Sequence, residues 1–295
     1  MQKTWRRAAL AASLSITGAL GGLVAAAPAQ AQPVASGSVT FSGDQGDYIT
    51  GGGSYAYSVA DGDQLTTSAS TDASHVSVNV NGYGGDWWYL DFDAPGSQPL
   101  APGTYENATR YPFNGAGPGL GLDGNGRGCN ELTGTFTVLN AVFGPNGYVQ
   151  TFDATFEQHC EGGTAAARGE VHIANPPAPA PLDLALAVAT QGTASTVSGK
   201  AVVHGTVTCN QPTSVALYGT VTEIVKKTIV RGDFTTRVDC APGSPAAWTA
   251  TATPGGTQPF VKGDVEVSTR AQGYDSEYNQ YVEVNDTAVV KLIKG

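Results

Sequence analysis

Apolar residues recur at every second position in short runs of this chain, and that rhythm constrains its fold more than any other feature. In HVSVNVNG (75–82), Val76, Val78 and Val80 share one face; in WWYLDFD (87–93), Trp88, Leu90 and Phe92 do. In KAVVHGTVTC (200–209) the set is Ala201, Val203, Val207 and Cys209, and further on Phe234, Val238 and Cys240 follow suit. Successive side chains of a strand point to opposite faces, so each run reads as a half-buried strand. Gly, Asp and Pro turns separate the runs. Beyond the N-terminal segment no window carries a helical period. The expected fold class is all-β, as two β-sandwich domains, jelly-roll-like and then immunoglobulin-like.

ANPPAPAP (174–181) reads as a semi-rigid, Pro-rich linker between them. The expected domains are an acidic sandwich over 32–173 and a second sandwich over 182–295. The charge divides at the same place. Residues 32–175 hold 15 acidic side chains against Arg110, Arg127 and Arg168 alone, while residues 182–295 hold ten acids and nine bases. An electrostatic function therefore belongs mainly to the first domain.

Residues 1–31 read as a secretory signal peptide. Lys3, Arg6 and Arg7 precede an Ala/Leu-rich stretch, and Ala29-Gln30-Ala31 forms a cleavage site. The C-terminal VVKLIKG shows no sorting motif, so a released, extracellular protein is expected. Residues 32–295 balance at −13. That argues against nucleic acid and anionic membrane as partners, because both need clustered Lys and Arg. It leaves cationic partners, divalent metal and neutral glycans.

Four cysteines, an even count in an exported chain, imply disulfides. Cys129 and Cys160 are 31 apart and fall in one domain; Cys209 and Cys240 are 31 apart in the other. Of the three connectivities, those two pairs are preferred. Each closure contributes about 3–4 kcal/mol in the chain-entropy picture.

TFDATFEQHCEGG (151–163) sets His159 beside Cys160, which invites a catalytic or metal reading. Alternation separates them. Phe152, Ala154, Phe156, Gln158 and Cys160 share the core face, and Asp153, Glu157, His159 and Glu161 the other. Cys129 is out of phase with Leu132, Phe136 and Val138, so a turn near Asn130 must aim it inward. If 161–168 closes a hairpin onto GEVHI, Glu157 faces His172 and His159 faces Glu170. Those four make either two cross-strand charge pairs or a surface metal site. No histidine reads as buried, and GxSxG and HExxH are absent, which disfavours hydrolases of those types.

Three stretches carry candidate binding residues. With Trp88, Leu90 and Phe92 inward, the outer face of WWYLDFD presents Trp87, Tyr89, Asp91 and Asp93. Aromatic faces and carboxylates suit a glycan platform, unless a loop or an N-terminal strand covers Trp87 and Tyr89. In APGTYENATRYPF (101–113), Tyr105, Tyr111 and Phe113 would extend that patch, and Arg110 either forms a structural ion pair or binds a ligand oxygen. In GLGLDGNGRGCN (119–130), Asp123 and Asn125 form part of a calcium-loop pattern or serve a tight turn. Calcium is the candidate cation for the acidic domain, where Asp44, Asp47, Asp61, Asp63, Asp91 and Asp93 come in close pairs; no other cofactor is expected. Glu106, Glu131, Glu157, Asp91 and Asp93 are the candidates for a glycosidase carboxylate pair.

PGTYENATRYPF, GRGCNELTGTFTV and FEQHCEGG together resemble an uncharacterised module of secreted bacterial proteins, over about residues 39–173. The resemblance implies an extracellular β-sandwich and carries no activity. GKAVVHGTVTC, FTTRVDC and AAWTATATP are similar to immunoglobulin-like domains of exported bacterial proteins. The pattern departs from antibody domains, since Trp248 follows the second cysteine. The function expected is a secreted, non-enzymatic binding or adhesion-type protein, with a glycan or cell-surface component as partner. The alternatives are a glycoside hydrolase and a calcium-binding envelope protein.

Overall fold

The computed structural model describes residues 31–295. The signal-peptide assignment therefore lies outside the described residues, save for Ala31. Among the described residues there is no α-helix, and none long and apolar enough to cross a membrane.

The first sheet comprises β1 (Gln32–Pro33), β2 (Ser36–Gly43), β3 (Ser54–Ser58), β4 (Gln64–Ala69), β5 (His75–Asn81), β6 (Trp87–Asp93), β7 (Gly103–Arg110), β8 (Gly119–Gly124), β9 (Leu132–Phe143), β10 (Val149–Cys160) and β11 (Ala166–Ala174). Its strand order is β1-β4-β5-β6-β8-β7-β9-β10-β11-β2-β3. The β7–β8 pairing is parallel and rests on two residue pairs, Thr109↔Gly119 and Arg110↔Leu120. Either side of that thin seam, the two halves of the sheet face each other. Phe41 on β2 meets Trp88 on β6 edge-on at 4.8 Å, and Phe92 on β6 meets Phe152 on β10 at 5.2 Å. Strands far apart in the sheet thus share one core, in a sandwich-like arrangement.

The core takes the side chains that alternation assigned to it. Val76, Val78, Trp88, Leu90, Phe92 and Phe152 are fully buried, and each such side chain contributes about 1.5–3 kcal/mol. Gln158 is also fully buried on this face. Its amide accepts from Leu122 N and donates to Leu122 O, both at 2.9 Å. The pairing of β8 with β7 ends at Leu120, so Leu122 has no strand neighbour on that side. The Gln158 amide stands in for one and satisfies both backbone groups.

The second sheet comprises β12 (Leu184–Val188), β13 (Gln191–Ala194), β14 (Ala201–Cys209), β15 (Thr213–Val225), β16 (Thr228–Cys240), β17 (Ala246–Pro254), β18 (Gly263–Asp275) and β19 (Gln280–Lys294). Its order is β12-β14-β13-β19-β18-β15-β16-β17, and a further β14–β17 pairing closes the ring. It surrounds its own core, which includes Leu217, Val267 and Trp248. Gly219 is required there: a Cβ would fall 2.2 Å from the Phe234 ring. Between the sheets, Asn175 still bonds Ala35 and Val149 of the first. The extended segment therefore starts at Pro176. The Pro176 carbonyl accepts from Tyr148 and that of Pro179 from Tyr278.

Both expected disulfides are present, Cys129–Cys160 and Cys209–Cys240, and they fit an oxidising extracellular environment. Cys129 lies in the loop before β9, with bends at Asn130 and Glu131. The Asn130 N–H donates to Glu161 Oε1 at 2.6 Å, which anchors the turn that aims the cysteine inward.

The β10–β11 hairpin corrects one expectation. Its register sets Asp153 opposite His172, Thr155 opposite Glu170, Glu157 opposite Arg168 and His159 opposite Ala166. The turn is shorter than the 161–168 expected, because Ala166 and Ala167 are buried and pair as strand residues.

Candidate ligand-binding face

The outer face of β5, β6 and β8 gathers most of the candidate residues, and it is open. Trp87 is 38% exposed and Tyr89 45%. Their ring centroids are 5.5 Å apart and the planes are tilted by 54°. Burial of Trp88 on the opposite face forces this outcome, since its neighbours in the strand must point outward. Tyr89 stands between Asn79 of β5 and Asp123 of β8 in the register. Beside the aromatic pair, Asn81, Gly82, Gly85 and Asp86 complete a shallow cavity of about 390 Å3.

The rim is tied to the core. Trp88 Nε1 donates to the Tyr57 hydroxyl at 2.7 Å, and that hydroxyl donates to Asp86 Oδ2 at 3.0 Å. Burial, with a further push from the Asp86 charge, raises the Tyr57 phenol to about 12. The hydroxyl therefore remains a donor throughout the physiological range. Asn125 closes the other side. It takes a left-handed φ of 48° and accepts from Trp87 N at 3.1 Å. Gly124 before it admits no side chain, because a Cβ would fall 2.3 Å from the Trp87 carbonyl. The tight-turn reading of 119–130 thus accounts for Asn125.

Further along the face the carboxylates are individually held. Asp91 Oδ1 bonds His75 Nε2 at 2.8 Å. The imidazole stacks flat on Tyr111, with centroids 4.1 Å apart. Asp93 accepts from Asn114 Nδ2 at 2.7 Å. Asp123 is pushed above the usual carboxylate range, first by burial and then by the charge of Asp91, against the pull of Arg110. Burial, reinforced by Asp91 and Asp93, also raises Tyr111. His75 and Asn114 were not among the residues singled out from sequence. Only their cross-strand neighbours could have suggested them, and those required the register.

Arg110 departs from the structural ion pair. Among the described residues no carboxylate pairs with it; Nη1 reaches the Asn130 carbonyl at 3.5 Å, and the guanidinium lies 5.2 Å from the Phe113 ring centroid. Tyr105 leaves the expected patch and stacks on Phe136 at 4.6 Å.

The histidine–glutamate quartet does not assemble. Glu157 pairs with Arg168 at 2.6 Å and with His159 at 3.1 Å. His172 pairs with Asp153 at 3.1 Å and approaches Glu170 at 3.7 Å. Among the described residues no three His, Cys, Asp or Glu side chains converge as metal ligands. Asp44 is taken by Arg168, Asp47 by Thr50 and Asp61 by Ser58, while Asp63 accepts from two backbone N–H groups. No protein-family model matches the chain, and a comparison with curated proteins finds no match.

Proposed function

We propose that the protein is a secreted binding protein whose first unit holds a neutral or weakly cationic polysaccharide on the β5–β6–β8 face. The observation that carries this reading is the exposure of Trp87 and Tyr89 as a tilted pair beside fixed hydrogen-bonding groups. The apolar faces of sugar rings stack on such rings, and carboxylates and amides receive and donate hydroxyl hydrogen bonds. Asn79, Asn81, Asp86 and Asp123 flank the pair, with Arg110 and Tyr111 at its far edge. An extended, shallow face suits a chain lying across it more than a small enclosed ligand.

The rest of the chain serves this role as an exported scaffold. The N-terminal segment is the export signal, the Pro-rich segment a spacer, and the second unit an immunoglobulin-like accessory module. Its first strand supports that description: β12 pairs with β14, and its continuation β13 lies between β14 and β19, antiparallel to the one and parallel to the other. The first unit is a jelly-roll-like sandwich on this reading. Glycan-array binding and pull-down on insoluble polysaccharide test the function. The mature protein binds, and Trp87→Ala weakens binding about tenfold or more, worth ~1.4 kcal/mol, with the fold intact. Failure to bind any glycan removes this function.

One observation favours a second reading, a glycoside hydrolase. Asp91 of β6 and Asp123 of β8 stand on adjacent strands of the same face, and burial raises the Asp123 carboxyl above its ordinary range, so two carboxylates in unlike surroundings share the site, as paired-carboxylate hydrolysis requires. Turnover by the mature protein, abolished in Asp123→Asn, would establish that reading instead.

A further inference from the structure

The second unit sorts its charge along its length. β15 is 13 residues long, about 40 Å at strand spacing, and its neighbours run beside it. At one end the backbone enters from the Pro-rich segment, whose Pro179, Ala180 and Pro181 carbonyls accept from Tyr278, Gln211 and Asn210. At the other end lie the 195–199 turn, the β15–β16 hairpin tip, the 255–262 loop and the C-terminal residues. These are neighbours. The 195–199 turn, the 257–262 segment and Lys294 line one cleft of about 620 Å3. Ile229, Arg231, Gly255 and Gln258 line another of about 420 Å3. Val261 N donates to Glu223 Oε2 at 3.0 Å, tying loop to hairpin.

Seven of the nine Lys and Arg side chains of residues 182–295 belong to this remote end: Lys200, Lys226, Lys227, Arg231, Lys262, Lys291 and Lys294. Its acids are few. Glu223 is buried and engaged with Val261, Asp264 faces Lys291 across β18–β19, Glu266 follows inward, and Asp233, level with Lys200, accepts from the Thr220 hydroxyl. Large apolar side chains stand among the cations. Ile224 and Ile229, cross-strand partners beside the tip, are 73% and 60% exposed, and Val197 is 97% exposed.

The hairpin turn itself is strained. Lys226 and Lys227 carry φ of 48° and 72°, left-handed positions that Asn-Gly fills without cost. Two lysines there sacrifice local fit and place two charges at the outermost point of the unit.

We infer that this end docks onto an anionic phospholipid bilayer, with Ile224, Ile229 and Val197 entering the headgroup boundary and the lysines engaging lipid phosphates. Both halves of the observation are used. Basic side chains are drawn to an anionic leaflet, and apolar tips gain by leaving water there while lysine stems extend back to the surface. A soluble polyanion would leave the isoleucines without a role. The overall charge of −13 over residues 32–295 does not prevent docking. The chain enters this unit at its opposite end, several screening lengths away at physiological salt.

Sedimentation of the mature protein with phosphatidylcholine vesicles, with and without phosphatidylglycerol, tests the inference. Binding is expected to the mixed vesicles only. Lys226→Glu/Lys227→Glu should weaken it at least tenfold, and Ile224→Ser/Ile229→Ser should weaken it as well. Lys226→Asn/Lys227→Gly should raise the melting temperature while lowering vesicle binding, which separates docking from folding. Absence of binding to the mixed vesicles, or binding unchanged in the lysine variants, overturns the proposal. So does retention by a soluble polyanion with no effect of the isoleucine changes, or salt-sensitive self-association without vesicles that consumes the same lysines.

Discussion

His75 and Tyr111 lie flat against one another, ring centroids 4.1 Å apart and planes 8° from parallel, while the same imidazole bonds Asp91 at 2.8 Å. The stack crosses from β5 to the segment after β7, and the bond to Asp91 ties both to β6, the strand that bears Trp87. Aromatic pairs of this kind couple by about 0.5–1.5 kcal/mol. A double-mutant cycle over His75→Ala and Tyr111→Ala, read by urea unfolding, should return a coupling in that range. Additive effects would show that the stack only fills space.

The raised carboxyl of Asp123 has a definite consequence for pH. A group whose folded-state value lies above its unfolded one binds its proton more tightly in the folded chain. The stability it contributes is fullest below the ordinary carboxylate value of 3.8 and is lost as pH rises through the folded value. Asp123→Asn should therefore flatten the fall in melting temperature above that value and stabilise the protein at neutral pH. Asp44 and Glu157 have the opposite sign. The Ala166 N–H and then Arg168 hold Asp44 low, and Arg168 and then His159 hold Glu157 low. Their contribution is present above the ordinary values and is lost as pH falls, so Arg168→Ala should shift the acid unfolding transition to higher pH.

Gln158 closes the open side of β8 from within the core. Replacement by leucine keeps the volume but leaves the Leu122 N–H and carbonyl buried without partners. Each orphaned group costs about 1–3 kcal/mol, so Gln158→Leu should destabilise by ~2–4 kcal/mol in chemical denaturation. Because β8 also carries Asp123, ligand affinity should fall with it.

The two disulfides act in separate cores. Replacing Cys129 and Cys160 together by alanine should cost about 3–4 kcal/mol and lower the unfolding transition of the first unit. The Cys209–Cys240 pair should have the corresponding effect on the second. Differential scanning calorimetry of both variants distinguishes local from global destabilisation.

The alternation of side chains made the strands and core legible before any coordinates. Trp88, Leu90 and Phe92 inward with Trp87 and Tyr89 outward, the separation of His159 from Cys160, and the turn before Leu132 all follow from period two. What alternation leaves open is register, since sliding a strand by two or four residues preserves every face. The β10–β11 pairing illustrates this: the faces of Glu157, His159, Glu170 and His172 are as expected, and their partners are not. The stacking of His75 on Tyr111 and the reach of Gln158 to Leu122 depend on strands remote in sequence and on the seam between β7 and β8. A local reading has no access to either. Arg110 likewise could be placed near the face, but its partner is a backbone carbonyl that no side-chain pattern announces.

The open aromatic pair is the centre of the functional account, and tryptophan fluorescence reads it directly. Of the three tryptophans in residues 32–295, Trp88 and Trp248 are buried and Trp87 alone is exposed. Acrylamide quenching of residues 32–295 should show one accessible emitter, and titration with a soluble polysaccharide that the protein retains should shield it. Trp87→Phe should abolish both the accessible component and the shielding. A bound polysaccharide that leaves Trp87 as accessible to acrylamide as before would contradict the assignment of this face as the binding site.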